Sequence, residues 1–162
     1  MKNRYTKLDA KGNELLDFAE SWSMVRNNVT RLIWEVKTHD GSIHDIDNKY
    51  NWNNARDVFI TELNATQFGG FTDWRLPTDD ELWNLRDSSK YDPAIDTNYF
   101  LNTLSSYYWS STTHAYSTHG AWCVSFYYGN VNVSSKSNSY YVRAVRGGQA
   151  GSLGDLAIEG KP

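Results

Sequence analysis

Apolar residues change their spacing twice along the chain, and each change predicts a different kind of element. RLIWEVK (Arg31–Lys37) alternates loosely and suits a strand. NWNNARDVFITELNA (Asn51–Ala65) places Trp52, Ala55, Phe59 and Leu63 on one helical face, with Asn51 as N-cap and Gly69-Gly70 beyond the end. A second helix starts after Pro77, where Thr78-Asp79-Asp80-Glu81 reads as a capping box: Thr78 caps and Glu81 reaches back. Leu82 and Leu85 then face inward, and Asp79 and Asp80 suit the positive end of the helix dipole.

From Tyr107 the period becomes two. In AWCVSFY (Ala121–Tyr127), Trp122, Val124 and Phe126 alternate with Cys123, Ser125 and Tyr127, which predicts one buried and one exposed face. Gly129-Asn130 fits a two-residue hairpin turn, pairing Tyr128 with Val131, Tyr127 with Asn132, Phe126 with Val133 and Ser125 with Ser134. Val131 and Val133 then join the apolar face, and Asn132 and Ser134 join the polar one. YYVRAVR (Tyr140–Arg146) predicts one further strand. The first twenty-odd residues read as irregular, with a turn at Asp9–Asn13, and the glycine-rich stretch after Gln149 reads as a flexible tail.

Length limits this architecture to one well-buried domain of 162 residues. Charge divides it. Residues 1–96 carry 17 acidic and 12 basic side chains, whereas 97–154 carry no acid and only Lys136, Arg143 and Arg146. The net charge of −3 gives no basis for nucleic acid as a partner, and no run is long and apolar enough for membrane insertion. The amino end lacks the apolar core of a secretion signal, so the location stays open, with display on a virion or cell surface among the possibilities.

Candidate chemistry adds little. Cys123 is the single cysteine, which excludes an intramolecular disulfide and a cysteine-rich zinc site. A nucleophilic Cys123 would need a base, and His114 and His119 lie near it in sequence, yet a small neutral side chain on a binding face is the better reading. Two histidines without a third ligand make a poor metal site. The loop His39–Asn51 holds several acids without EF-hand spacing, and Ser110-Ser111 belongs to strand pairing rather than to a nucleophile elbow. Neither an enzyme nor a bound cofactor or metal is expected. Arg75, Arg143 and Arg146 read as structural, with Arg143 able to border a ligand.

VTRLIWEVKT, YNWNNA, FGGFTDWRLPTDDEL, YDPAIDTNYF, YYWSST and YYVRAVRGGQ, in that order, resemble the Lcl C-terminal domain family. The resemblance implies an α+β domain with a C-type-lectin-like fold: two helices flanking a small, twisted, mostly antiparallel sheet. It divides the chain into an N-terminal extension (1–21), the domain (22–149) with a variable region at about 107–146, and the tail (150–162). It also implies recognition rather than catalysis. Related enzymes need paired cysteines, which this chain lacks, and Met24 stands in a stretch where relatives often carry cysteine.

One branch of that fold comprises the variable proteins of diversity-generating retroelements, whose C-terminal segment is rewritten at template adenines. Such rewriting of asparagine codons never produces Trp, Lys, Glu, Gln or Met. His114–Tyr141 holds only Trp122 and Lys136 from that set. The resemblance therefore implies a diversified binding face drawn from His114, Tyr116, Ser117, His119, Gly120, Cys123, Ser125, Tyr127, Tyr128, Asn130, Asn132, Ser134, Ser135 and Tyr140. Strand parity adds that Cys123, Ser125, Tyr127, Asn132 and Ser134 face outward, while Tyr128 has the parity of the core. The alternative is an invariant adhesive or glycan-binding member of the family. Tyrosine with serine and asparagine is the mixture of an antibody paratope, so the expected ligand is a protein on another cell or particle.

Overall fold

The computed structural model describes residues 3–148, which form an α+β fold of two sheets and two helical arms. The first sheet has the order β1 (Tyr5–Leu8), β2 (Met24–Asn27), β3 (Ile33–Glu35), β9 (Val145–Arg146), all antiparallel. The second has the order β4 (Lys49–Tyr50), β8 (Tyr140–Tyr141), β5 (Tyr107–Thr113), β6 (Gly120–Ser125), β7 (Val131–Ser135), antiparallel except between β5 and β8.

The N-terminal stretch, expected to be irregular, supplies β1 as an edge strand. Its sequence hides this because Lys7 is buried: the ammonium lies 3.8 Å from the Trp22 ring and donates to the carbonyls of Asp17 (2.7 Å) and Ala19 (2.9 Å). The predicted turn follows, with Gly12 at φ +87° and the Asp9 carboxylate accepting from the amides of Lys11 and Asn13.

The first helical arm runs as α1 (Trp52–Asn54), a π-helical segment Ala55–Ile60, and α2 (Thr61–Ala65). Asn51 caps it through the Asn54 amide, as its sequence predicts. The wider π winding brings Ile60 against the core beside Ala55 and Phe59. The second arm, α3 (Asp79–Leu85), carries the full capping box between Thr78 and Glu81, and Leu82 and Leu85 are buried.

These arms cover opposite faces of the second sheet. Phe59, Ile60 and Leu63 pack with Trp109, Ala121 and Cys123 in one core. Leu82 and Leu85 pack with Tyr108, Val124 and Phe126 in the other. A helix on each face makes β6 a strand buried on both sides, so its alternation records which core a side chain enters, not whether it meets water.

Two expectations about this sheet are corrected. The two-residue turn at Gly129-Asn130 does not form; Val124 pairs with Val131, and the connection spans Phe126–Asn130. Phe126 is drawn into the core, and the Phe126-Tyr127 backbone pairs elsewhere: the Ala94 amide donates to the Phe126 carbonyl and the Asp92 amide to that of Tyr127. The shift is even, so the strand faces keep their predicted composition. Tyr140–Arg146 is likewise not one strand. It divides into β8 in the second sheet and β9 in the first, with Val142, Arg143 and Ala144 buried between them.

Candidate ligand-binding surface

The fourteen candidate positions separate into three groups. Gly120, Cys123 and Ser125 are interior, which overturns the outward placement of Cys123 and Ser125. For Cys123 the cause is the first helical arm, whose Phe59 and Leu63 pack in the same core. His114, Asn132, Ser134 and Tyr140 are half-buried, and Tyr116, Ser117, His119, Tyr127, Tyr128, Asn130 and Ser135 are exposed. The exposed positions lie in the loops at the two ends of β6 and on the edge strand β7.

At the start of β6, the loop after β5 is closed by backbone bonds. The His114 amide donates to the Gly120 carbonyl (3.0 Å), and the Gly120 amide to that of Ser117 (3.0 Å). His114 Nδ1 accepts from the Ser117 amide (3.1 Å), so the ring is a turn element rather than a free base. The same ring sits 5.3 Å from Trp122 and 6.0 Å from Tyr116, which is 96% exposed. Trp122 faces Val133 across the strands, and Val133 is exposed despite its assignment to the buried face. Neither belongs to the core that Val124 shares with Leu82 and Leu85 of α3.

A second group occupies the opposite face of the β6–β7 hairpin. Tyr140 Oη donates to Ser134 Oγ (3.1 Å), Asn138 Nδ2 to Tyr140 Oη (3.3 Å), and Asn132 Nδ2 to Tyr107 Oη (3.3 Å). The Tyr107 and Tyr140 rings are 5.3 Å apart. The Cys123 thiol lies under this layer, against the Asn132 carbonyl (3.5 Å) and Ser134 Oγ (3.6 Å). Burial pushes that thiol up, so its reactive thiolate is depleted at neutral pH.

At the far end of β6, Tyr127 and Tyr128 meet edge to face at 4.5 Å. Tyr91 stacks on Tyr128 at 6.1 Å and is itself exposed. Tyr128 and Asp92 push the Tyr127 phenol up. Sequence reasoning missed Tyr91, which lies in a different loop and carries no periodic signal. It also assigned Tyr128 the parity of the core, whereas the longer connection turns it outward.

Among the described residues, no three His, Cys, Asp or Glu side chains stand close enough to hold a metal ion. The arginines are engaged. Arg75 binds Glu81 through two bonds (2.7 and 2.9 Å), and Arg146 binds Asp73 through two more (2.7 and 2.8 Å). Arg143 is buried and donates to the Glu35 carbonyl (2.6 Å) and Thr103 Oγ1 (2.9 Å), which removes it from any ligand.

The family signature of the Lcl C-terminal domain matches residues 23–146. The chain belongs to that family. The matched span takes in β2 through β9, so the whole second sheet, both helical arms, the aromatic loops and all of the first sheet except its edge strand β1 lie within the Lcl C-terminal domain. A comparison with curated proteins gives no match. No helix among the described residues is long and apolar enough to cross a membrane.

Proposed function

We propose that this Lcl C-terminal domain is a ligand-binding variable protein of a diversity-generating retroelement, presenting a diversified rim on a C-type-lectin-like scaffold. The observation that supports it best is the exposure of Tyr116, Ser117, His119, Tyr127, Tyr128, Asn130 and Ser135 above a double-sided core. All seven are residue types that adenine rewriting of asparagine codons produces. Trp122 and Lys136, which it cannot produce, belong to the frame: Trp122 braces His114, and Lys136 lies 4.1 Å over Trp52.

Tyrosine supplies rigid contact area at small entropy cost, and serine and asparagine supply adaptable hydrogen bonds. The seven exposed candidate positions include no carboxylate, in keeping with the depletion of acids at interface centres, and Asp92 stands beside Tyr127 at one end. Its ligand is a protein on another cell or particle. A dozen contact residues fall short of the ~20–30 per side of a standard interface, so each domain binds with moderate affinity and copies in an array gain by avidity. The role is binding rather than catalysis, since the one thiol is buried with a raised pKa and His114 is spent on its turn.

The test is genomic. A near-copy of the DNA encoding His114–Tyr140, differing only where the copy has adenine and lying beside a reverse-transcriptase gene, is expected in the source genome. A complete genome without one removes the retroelement reading and leaves an invariant binding domain.

A further inference from the structure

The sequence phrases with the sharpest patterns outside the rim converge on a groove that the rim does not use. It measures about 530 Å³, inside the ~300–1,000 Å³ range of small-molecule sites. Trp52 and Ile60 enter it from the first helical arm, Leu76 from the segment before α3, and Ser111 from β5. Ile60 and Leu76 are nearly buried and make an apolar floor. The Trp52 indole forms a fixed wall, because Nε1 donates to the Ser110 carbonyl (2.9 Å) and its amide to that of Lys136 (3.1 Å).

Charge is unevenly committed around this groove. Arg75 and Glu81 form one side and neutralise each other through their paired bonds. Arg56 stands at the mouth, its guanidinium 5.5 Å from the Trp52 ring centre, and Lys136 Nζ lies 4.1 Å from the same centre without lining the groove itself. Lys136 makes no ion pair among the described residues, and Arg56 shares only an exposed pair with Asp57. Exposed pairs are weak and exchange readily for a better partner.

We propose that this groove binds a small amphiphilic anion, a planar apolar body carrying one carboxylate. The body lies along Trp52, Ile60 and Leu76, and the carboxylate sits at the mouth on Arg56, with the Lys136 ammonium beside the same indole adding its positive charge. The site is independent of the diversified rim, so a domain with any rim sequence retains it.

The experiment titrates 2-naphthoate into the ¹⁵N-labelled full chain and follows the Trp52 indole N–H, with 2-naphthamide as the uncharged counterpart. The naphthoate produces a saturable shift at Trp52. The amide binds about tenfold more weakly, the value of one charge-assisted contact. Replacing Lys136 and Arg56 together by Ala brings the acid down to the affinity of the amide and leaves the amide unchanged. Ser111→Phe fills the groove and abolishes both; Ser111 is exposed and gives only its amide to the Pro77 carbonyl, so the rest of the spectrum stays native. Absence of saturation, equal affinity for acid and amide, or undiminished binding by the Phe variant overturns the proposal. Tyr116→Ala and Tyr128→Ala leave it unaffected, which separates its failure from failure of the rim.

Discussion

Glu35 and Lys37, one strand step apart on the same side of the chain, form an ion pair closed to solvent. Lys37 Nζ lies 3.2 Å from Glu35 Oε1, with side-chain exposures of 2% and 0%. The carboxylate also accepts from the Ala144 amide (3.1 Å) and meets His44 Nδ1 (2.7 Å), and its backbone carbonyl accepts from Arg143. The pair therefore ties β3 to the segment joining β8 and β9.

Removing one partner of such a pair strands a charge in the interior. Lys37→Met is expected to destabilise the domain by about 3–5 kcal/mol, and the double variant Glu35→Gln, Lys37→Met by clearly less. Urea unfolding of the three proteins checks this. Equal losses in the single and double variants would show that the pair is not coupled.

The capping box of α3 is one source of acid sensitivity. Burial raises the Glu81 pKa, but hydrogen bonds from Arg75 and from the Thr78 amide outweigh it, and the carboxyl titrates below its ordinary value of 4.5. A lowered folded pKa contributes stability above the unfolded value and loses it as pH falls through the folded one. Glu81→Gln is expected to cost about 1–2 kcal/mol at pH 7. The gap to the parent closes below pH 4.5, and denaturant melts from pH 7 to pH 3 measure it.

Cys123 is expected to resist thiol reagents. In the native protein a disulfide-exchange probe reacts only through opening of the β6–β7 region, whereas in denaturant it reacts at the rate of a free thiol. Rapid native labelling would place the thiol outside the core.

Rim and floor positions part in their tolerance of substitution. Replacing Tyr116, Ser117 and Tyr128 by Ala is expected to change stability by no more than ~0.5 kcal/mol each. Cys123→Asp buries a carboxylate beneath Tyr140 and unfolds the domain or shifts its pKa strongly upward. Thermal melts of the four variants distinguish the groups.

What the sequence disclosed depended on whether the signal was local. The Thr78–Glu81 box and the Asn51 cap need only their neighbours in the chain, and both stand where their residues place them. Strand parity on β6 and β7 is also local, and the faces were composed as read: Trp122 with Val133, and Cys123 with Asn132. What covers each face is a tertiary fact. Nothing near Cys123 announces that Phe59 and Leu63, some sixty residues earlier, pack in the same core. The same holds for Phe126, whose departure into the core lengthens the turn, and for Tyr91, which reaches the rim from another loop.

The division of Tyr140–Arg146 between the two sheets governs how the domain resists pulling. Force applied at the rim loads β6 and β7, whose neighbour β5 lies beside β8, and β8 leads through three residues into β9 against β3. Tension is thus shared by both layers and held by the Arg143 anchor. Unravelling that reaches β8 must therefore disturb both layers at once.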